Sequence, residues 1–97
     1  MNSWLQQMHS KLYSELDSLQ VSHTSGRDNG RWIAEVQGRL DACTMLKDTP
    51  INAVRINEVR REFDSESPSN IEKKHIEHYR KGAIDFIDDV TNKLNNG

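Results

Sequence analysis

One cysteine, Cys43, is too few for an intrachain disulfide or a cysteine-built zinc site, so the chain depends on packing alone for its cohesion. Only two prolines punctuate 97 residues, which leaves long stretches with nothing to interrupt a helix. No apolar run approaches the ~18 residues a membrane span requires, and the opening MNSWLQQMHSK has neither the basic nor the apolar region of a secretory leader. These absences set the expectation of a cytoplasmic protein without membrane contact. An excess of positive charge is missing too. Thirteen Lys and Arg stand against 15 Asp and Glu, a net charge of −2, so nothing draws the whole molecule to phosphate and nucleic-acid binding would need a local basic patch.

Hydrophobic residues make up 34% of the chain and charged ones 29%, which fits one small domain with a thin core. Their spacing is helical throughout, and the expected fold is all-α. It is a helical hairpin followed by a short third helix and a long C-terminal helix, in a small open bundle with helices at about 3–21, 27–47, 50–63 and 70–95. In the first helix Leu5, Met8, Leu12, Leu16 and Leu19 form a stripe behind a Ser3/Gln6 capping box. The turn-rich SHTSGRDNG ends it, with Ser25 or Asp28 as the next cap. Trp32, Ile33, Val36, Leu40, Cys43 and Leu46 form a single stripe on the second helix. KDTP then closes that helix and starts the third, with Thr49 as cap and Pro50 in the first turn. Val54 and Ile56 would alternate in a strand, whereas Ile56, Val59 and Phe63 step as in a helix, and helix is the better fit. Ser69 and Glu72 form the capping box of the last helix, whose stripe runs through Ile76, Tyr79, Ala83, Phe86, Ile87, Val90 and Leu94.

Few residue groups suggest chemistry. Glu72-x-x-His75 is half of the motif that carboxylate-bridged di-metal bundles repeat, and its second half is missing, so no metal or other cofactor is expected. Cys43 lies on an apolar stripe, where a thiol packs as a small hydrophobe, and GRDNG lacks the Lys-Ser/Thr of a phosphate loop. A non-enzymatic protein is the expectation. Arg55, Arg60 and Arg61 could face nucleic acid, but Glu58, Glu62 and Asp64 interleave with them, which favours a solvated, salt-bridged face.

Two features point to association. Gly38 weakens a helix interior by ~0.5–1 kcal/mol, a cost usually tolerated where another backbone must come close, and Ala42 one turn later extends the small face. In the last helix the bases Lys73, Lys74, Arg80 and Lys81 precede the acids Asp85, Asp88 and Asp89, opposite to the order the helix dipole favours. An antiparallel second copy of that helix would satisfy both halves. Lys74 would face Asp89, His75 would face Asp88 and His78 would face Asp85, with Lys81 and Gly82 at the crossing and Ile84 and Ile87 as its apolar edge.

The stretch EVQGRLDACTMLKDTP, residues 35–50, resembles a helix of small phage-encoded accessory proteins in which Gly-Arg-Ile/Leu-x-Ala precedes an apolar pair and a proline; Gly38, Arg39, Leu40, Ala42, Met45, Leu46 and Pro50 carry the likeness. That resemblance implies a virion-assembly factor, placed in the host cytoplasm or the virion. The combined expectation is a protein that binds other proteins and forms homo-oligomers. Two alternatives remain open: a small inhibitor of a host enzyme or defence complex, and a nucleic-acid regulator using Arg55, Arg60 and Arg61.

Overall fold

Leu5, Leu12 and Leu16 turn one face of the first helix, α1 (Asn2–Thr24), inwards, and all three are buried, with Met8 and Leu19 half-buried beside them. The computed structural model describes residues 2–24, 26, 29–48, 50–65 and 73–96. Within these, α1 is followed by α2 (Gly30–Lys47), α3 (Ala53–Ser65), a 3₁₀ turn (Lys73–His75) and α4 (Ile76–Asn96), with no strand among the described residues. The fold is an all-α bundle of four helices in which α2 touches each of the other three.

That central position is written in the burial of α2. Ala34, Val36, Gly38, Leu40 and Ala42 are buried at every second position, and residues two apart on a helix point about 200° from each other, so both sides of α2 are covered. The single stripe expected of this helix is therefore half of the arrangement. Cys43 meets α1, where its Sγ donates to the Leu5 carbonyl at 3.3 Å, and Val36 lies beside Glu15 and Leu19 of the same helix. Ala34, Gly38 and Ala42, four apart, form the second buried row, and Gly38 lies against α4. Trp32, one turn before Val36 on the apolar stripe, lies in the first turn of α2 and remains 49% exposed.

The α2–α4 crossing relies on two glycines. A Cβ on Gly38 would overlap the Tyr79 carbonyl oxygen and stand 3.0 Å from the Ala83 nitrogen; one on Gly82 would overlap the Glu35 carbonyl oxygen and stand 2.8 Å from its carbon. Each helix thus admits the other's backbone. Beyond the crossing α4 buries Phe86, Ile87 and Val90 at 2% exposure or less, each contributing ~1.5–3 kcal/mol relative to exposure. Its far half reaches the start of α1, where Trp4 stacks on Phe86 with ring centroids 5.9 Å apart and the Lys93 ammonium lies 5.1 Å over the Trp4 ring. Leu94 leaves the stripe, 38% exposed in the last turn.

Several helix ends differ from the sequence reading. Helix α1 starts one residue before Ser3, which is therefore inside the helix, and runs on to Thr24. Its end is closed by Gly26 at φ 107, whose N–H donates to the His23 carbonyl at 3.1 Å. Ser25, Asp28, Thr49, Ser69 and Glu72 lie outside the described residues. Asn29 precedes α2 without a side-chain cap; it sends its backbone N–H to His23 Nδ1 at 3.2 Å and its amide to the Leu19 carbonyl at 3.3 Å, tying the two helices of the hairpin together. Helix α3 begins at Ala53, with Pro50 three residues outside it. Its cap is Asn52, whose side-chain oxygen accepts the Arg55 N–H at 2.9 Å and whose carbonyl accepts the Ile56 N–H at 3.0 Å. Ile56, Val59 and Phe63 face the core and Val54 is 68% exposed, which is the helical alternative and not the strand.

Gly38→Ala would raise helix propensity by up to ~1 kcal/mol in an open helix, but here it forces α2 and α4 apart. Overpacking of ~1–3 kcal/mol is expected to prevail, lowering the melting temperature by roughly 4–24 °C, with Gly82→Ala acting in the same direction. A melting temperature that rises in either variant would disprove the tight crossing.

Candidate functional site

The residues expected to pair two copies of α4 divide between its two sides. Lys74, Lys81, Asp88 and Asp89 are exposed, and His75, His78, Ile84 and Asp85 are partly so, but Gly82 and Ile87 are buried inside the bundle. Ile87 therefore cannot form the apolar edge of an antiparallel dimer, and Gly82 already serves the crossing with α2. This corrects the proposed interface. What remains outward is a polar face with Ile84 at its margin, itself packed partly against the core. The reversed charge order is answered within the chain instead. Asp88 accepts from Arg60 of α3 at 2.8 Å, Asp85 lies 3.5 Å from Lys81 on the same helix, and Lys81 is also 3.8 Å from Glu35 of α2. Such exposed pairs contribute only ~0.2–1 kcal/mol each, enough to favour an orientation and too little to hold a fold.

The arginines of α3 are similarly engaged. Arg55 donates to the Met45 carbonyl at 3.1 Å and lies 3.3 Å from Glu58, pinning α3 to the end of α2, while Arg60 meets Asp88. His75 and His78 place their rings 6.4 Å apart at the start of α4, and Glu72 lies outside the described residues. Among the described residues no three His, Cys, Asp or Glu side chains converge as metal ligands.

Two buried titratable groups are held in their neutral forms. Burial pushes the Cys43 thiol up to about 11, against a smaller opposing effect of the Lys47 charge, so at neutral pH it is a packed hydrogen-bond donor and not a nucleophile. Burial, then the hydrogen bond to Asp41 and that residue's charge, raise Tyr79 well above the ordinary tyrosine range. Its hydroxyl donates to one Asp41 oxygen while Gln37 donates to the other at 2.7 Å, and its ring packs against Phe63 with centroids 5.7 Å apart. Tyr79 therefore joins α2, α3 and α4 at one point. Sequence spacing put it in the apolar stripe but gave no sign of Asp41, because that hydrogen bond links residues 38 apart.

Beside this framework the described residues form two hollows. Near the loop end of the hairpin, Glu15 and Leu19 of α1 and Trp32, Glu35, Val36 and Arg39 of α2 line a recess of about 210 Å³. Leu19, Val36 and the indole supply its apolar lining, and the Arg31 guanidinium sits 4.5 Å over the Trp32 ring. A second, shallower hollow runs past Pro50, Val54 and Arg55 on the outer side of α3. The first is walled by two helices and contains the half-exposed tryptophan, the residue type most often found to dominate protein contacts. None of its residues was singled out for binding from sequence. The missed signal is the place of Trp32 in the first turn of α2, beside the hairpin loop, where a residue of the apolar stripe is left half-exposed. No family model, curated protein or solved structure matches this chain.

Raised values for Cys43 and Tyr79 mean that their native forms are the protonated ones, so their contribution to stability is present at neutral pH and lost as pH climbs. For Cys43 the loss runs from the ordinary thiol value of ~8.5 through about 11, and for Tyr79 it begins at ~10. Urea unfolding as a function of pH should show stability falling above about pH 9, with the fall reduced in Cys43→Ala and Tyr79→Phe. A thiol reagent should label Cys43 only after denaturation. Rapid labelling of the native chain, or alkaline behaviour unchanged in both variants, would contradict this placement.

Proposed function

We propose that this protein is a non-enzymatic binding module that engages another protein through the recess between α1 and α2. The observation that carries the reading is Trp32: a large indole left 49% exposed beside a walled apolar hollow, on a helix otherwise buried on both sides. An exposed aromatic in a rigid concavity is the kind of group around which contact energy concentrates, because it needs little ordering on binding and buries much apolar area. The rigidity comes from α2, which is clamped by α1, α3 and α4 and cannot shift without disturbing the core.

Support from elsewhere is consistent with binding and not catalysis. Cys43 is kept as a thiol and Tyr79 as a neutral donor to Asp41, so the two buried reactive groups are committed to packing. Phage assembly is the setting to which the likeness of residues 35–50 points. Gly38, which carries part of that likeness, has a packing duty against α4 that accounts for its presence without reference to any setting. The proposal therefore rests on the recess. Self-association through α4 forms no part of it, since Gly82 and Ile87 face inwards.

Affinity capture from the source cells, quantified by mass spectrometry, tests the reading with three baits: the unaltered chain, Trp32→Ala, and Tyr13→Ala as a control at another exposed aromatic. The expected outcome is a set of proteins retained by the unaltered chain and Tyr13→Ala but depleted with Trp32→Ala, at equal melting temperatures. Identical sets from all three baits would rule out the recess as the contact.

A further inference from the structure

Charge around the recess is unevenly matched. Glu35 is shared by two cations, Arg39 at 3.6 Å and Lys81 at 3.8 Å, and Lys81 has Asp85 as a second partner at 3.5 Å. Arg31 lies over the face of the Trp32 ring. Arg39 and Lys81 thus have carboxylate partners within the chain, whereas Arg31, which does not line the hollow, keeps its charge over a neutral ring. Glu15, on the opposite wall, has no ion-pair or hydrogen-bond partner among the described residues. Among the described residues that line the recess, the one unpaired charge is therefore negative, and it stands at the edge of a lining made of Leu19, Val36 and indole.

From this arrangement we infer that the recess receives a lysine or arginine side chain presented by a protein partner. The inference rests on the binding reading above and gives the partner its chemistry. A long basic side chain matches both parts of the hollow at once: its methylene stem covers Leu19, Val36 and the Trp32 edge, and its charged head reaches the Glu15 carboxylate. A recess of about 210 Å³ is below the ~300–1,000 Å³ usual for small-molecule sites, and suits a single inserted side chain. An acidic side chain would instead meet Glu15 unscreened and compete with Glu35 for Arg39. A purely apolar one would leave Glu15 partly desolvated without a partner, which costs free energy.

A displayed library of random short peptides, selected on the full-length chain, supplies a defined probe. Enriched peptides are then measured one by one by fluorescence anisotropy against the unaltered chain, Glu15→Gln, Glu15→Lys and Trp32→Ala, each checked for native helicity. The expected result is enrichment of peptides sharing a Lys or Arg whose replacement by Gln weakens binding. Affinity should fall at least about tenfold with Trp32→Ala and with Glu15→Lys, and less with Glu15→Gln. Peptides that need Trp32 but carry no essential basic residue, or that are indifferent to Glu15→Lys, would overturn the inference while leaving the recess as a docking site. Selected peptides whose binding ignores Trp32 and Glu15 alike, or no selected peptide at all, would overturn both.

Discussion

Two backbones pressed together without intervening side chains, α2 at Gly38 and α4 at Gly82, set the geometry from which the remaining contacts follow. Once the helices are that close, Tyr79 is near enough to Asp41 for its hydroxyl to reach the carboxylate, and Lys81 is near enough to Glu35 to pair. The far half of α4 is then carried to the start of α1, where Phe86 meets Trp4. Small residues give up side-chain packing, and the return is backbone proximity over a long contact between two helices. The chain has few large apolar residues with which to fill a wider gap, so closeness substitutes for bulk.

Making α2 the central element also decides what is left on the outside. A helix buried on two sides has narrow strips between those sides, and Glu35 and Arg39 occupy one of them, with Trp32 in the first turn beside them. Helix α4 leaves that strip uncovered near the loop end of the hairpin. The recess is therefore bounded on one side by the helix that the crossing holds in place and on the other by α1. Binding there would require little reorganisation of the protein, which favours affinity.

The charges of α4 carry a related lesson. Read along the helix, bases before acids look like a request for an antiparallel partner, and the structure supplies different ones: Arg60 from α3 for Asp88 and Lys81 for Asp85. A helix charge pattern gives the signs that must be matched, but not the element that matches them. Burial of Ile87 removes the apolar contact that a charge-matched pair of helices would need, since exposed ion pairs alone hold little.

Sequence alone determined the helices, because periodic apolar residues and turn-forming segments act locally. The stripes of α1, α3 and α4, the helical choice for residues 50–63, and the significance of Gly38 were all legible from spacing. The same spacing placed Leu94 inside the last stripe, where helix length beyond the crossing leaves it 38% exposed. Only the tertiary structure decided that Gly38 faces a helix of the same chain, that Gly82 and Ile87 are spent internally, and that Asn52 caps α3. It alone brought Glu15, Trp32 and Arg39 to one hollow. The reason is physical: periodicity tells which face of a helix is apolar, but the partner of that face is fixed by contacts between residues far apart in the chain. A helix built from small residues, such as the Ala34, Gly38 and Ala42 row, can be buried as fully as a leucine stripe while giving almost no hydrophobic signal.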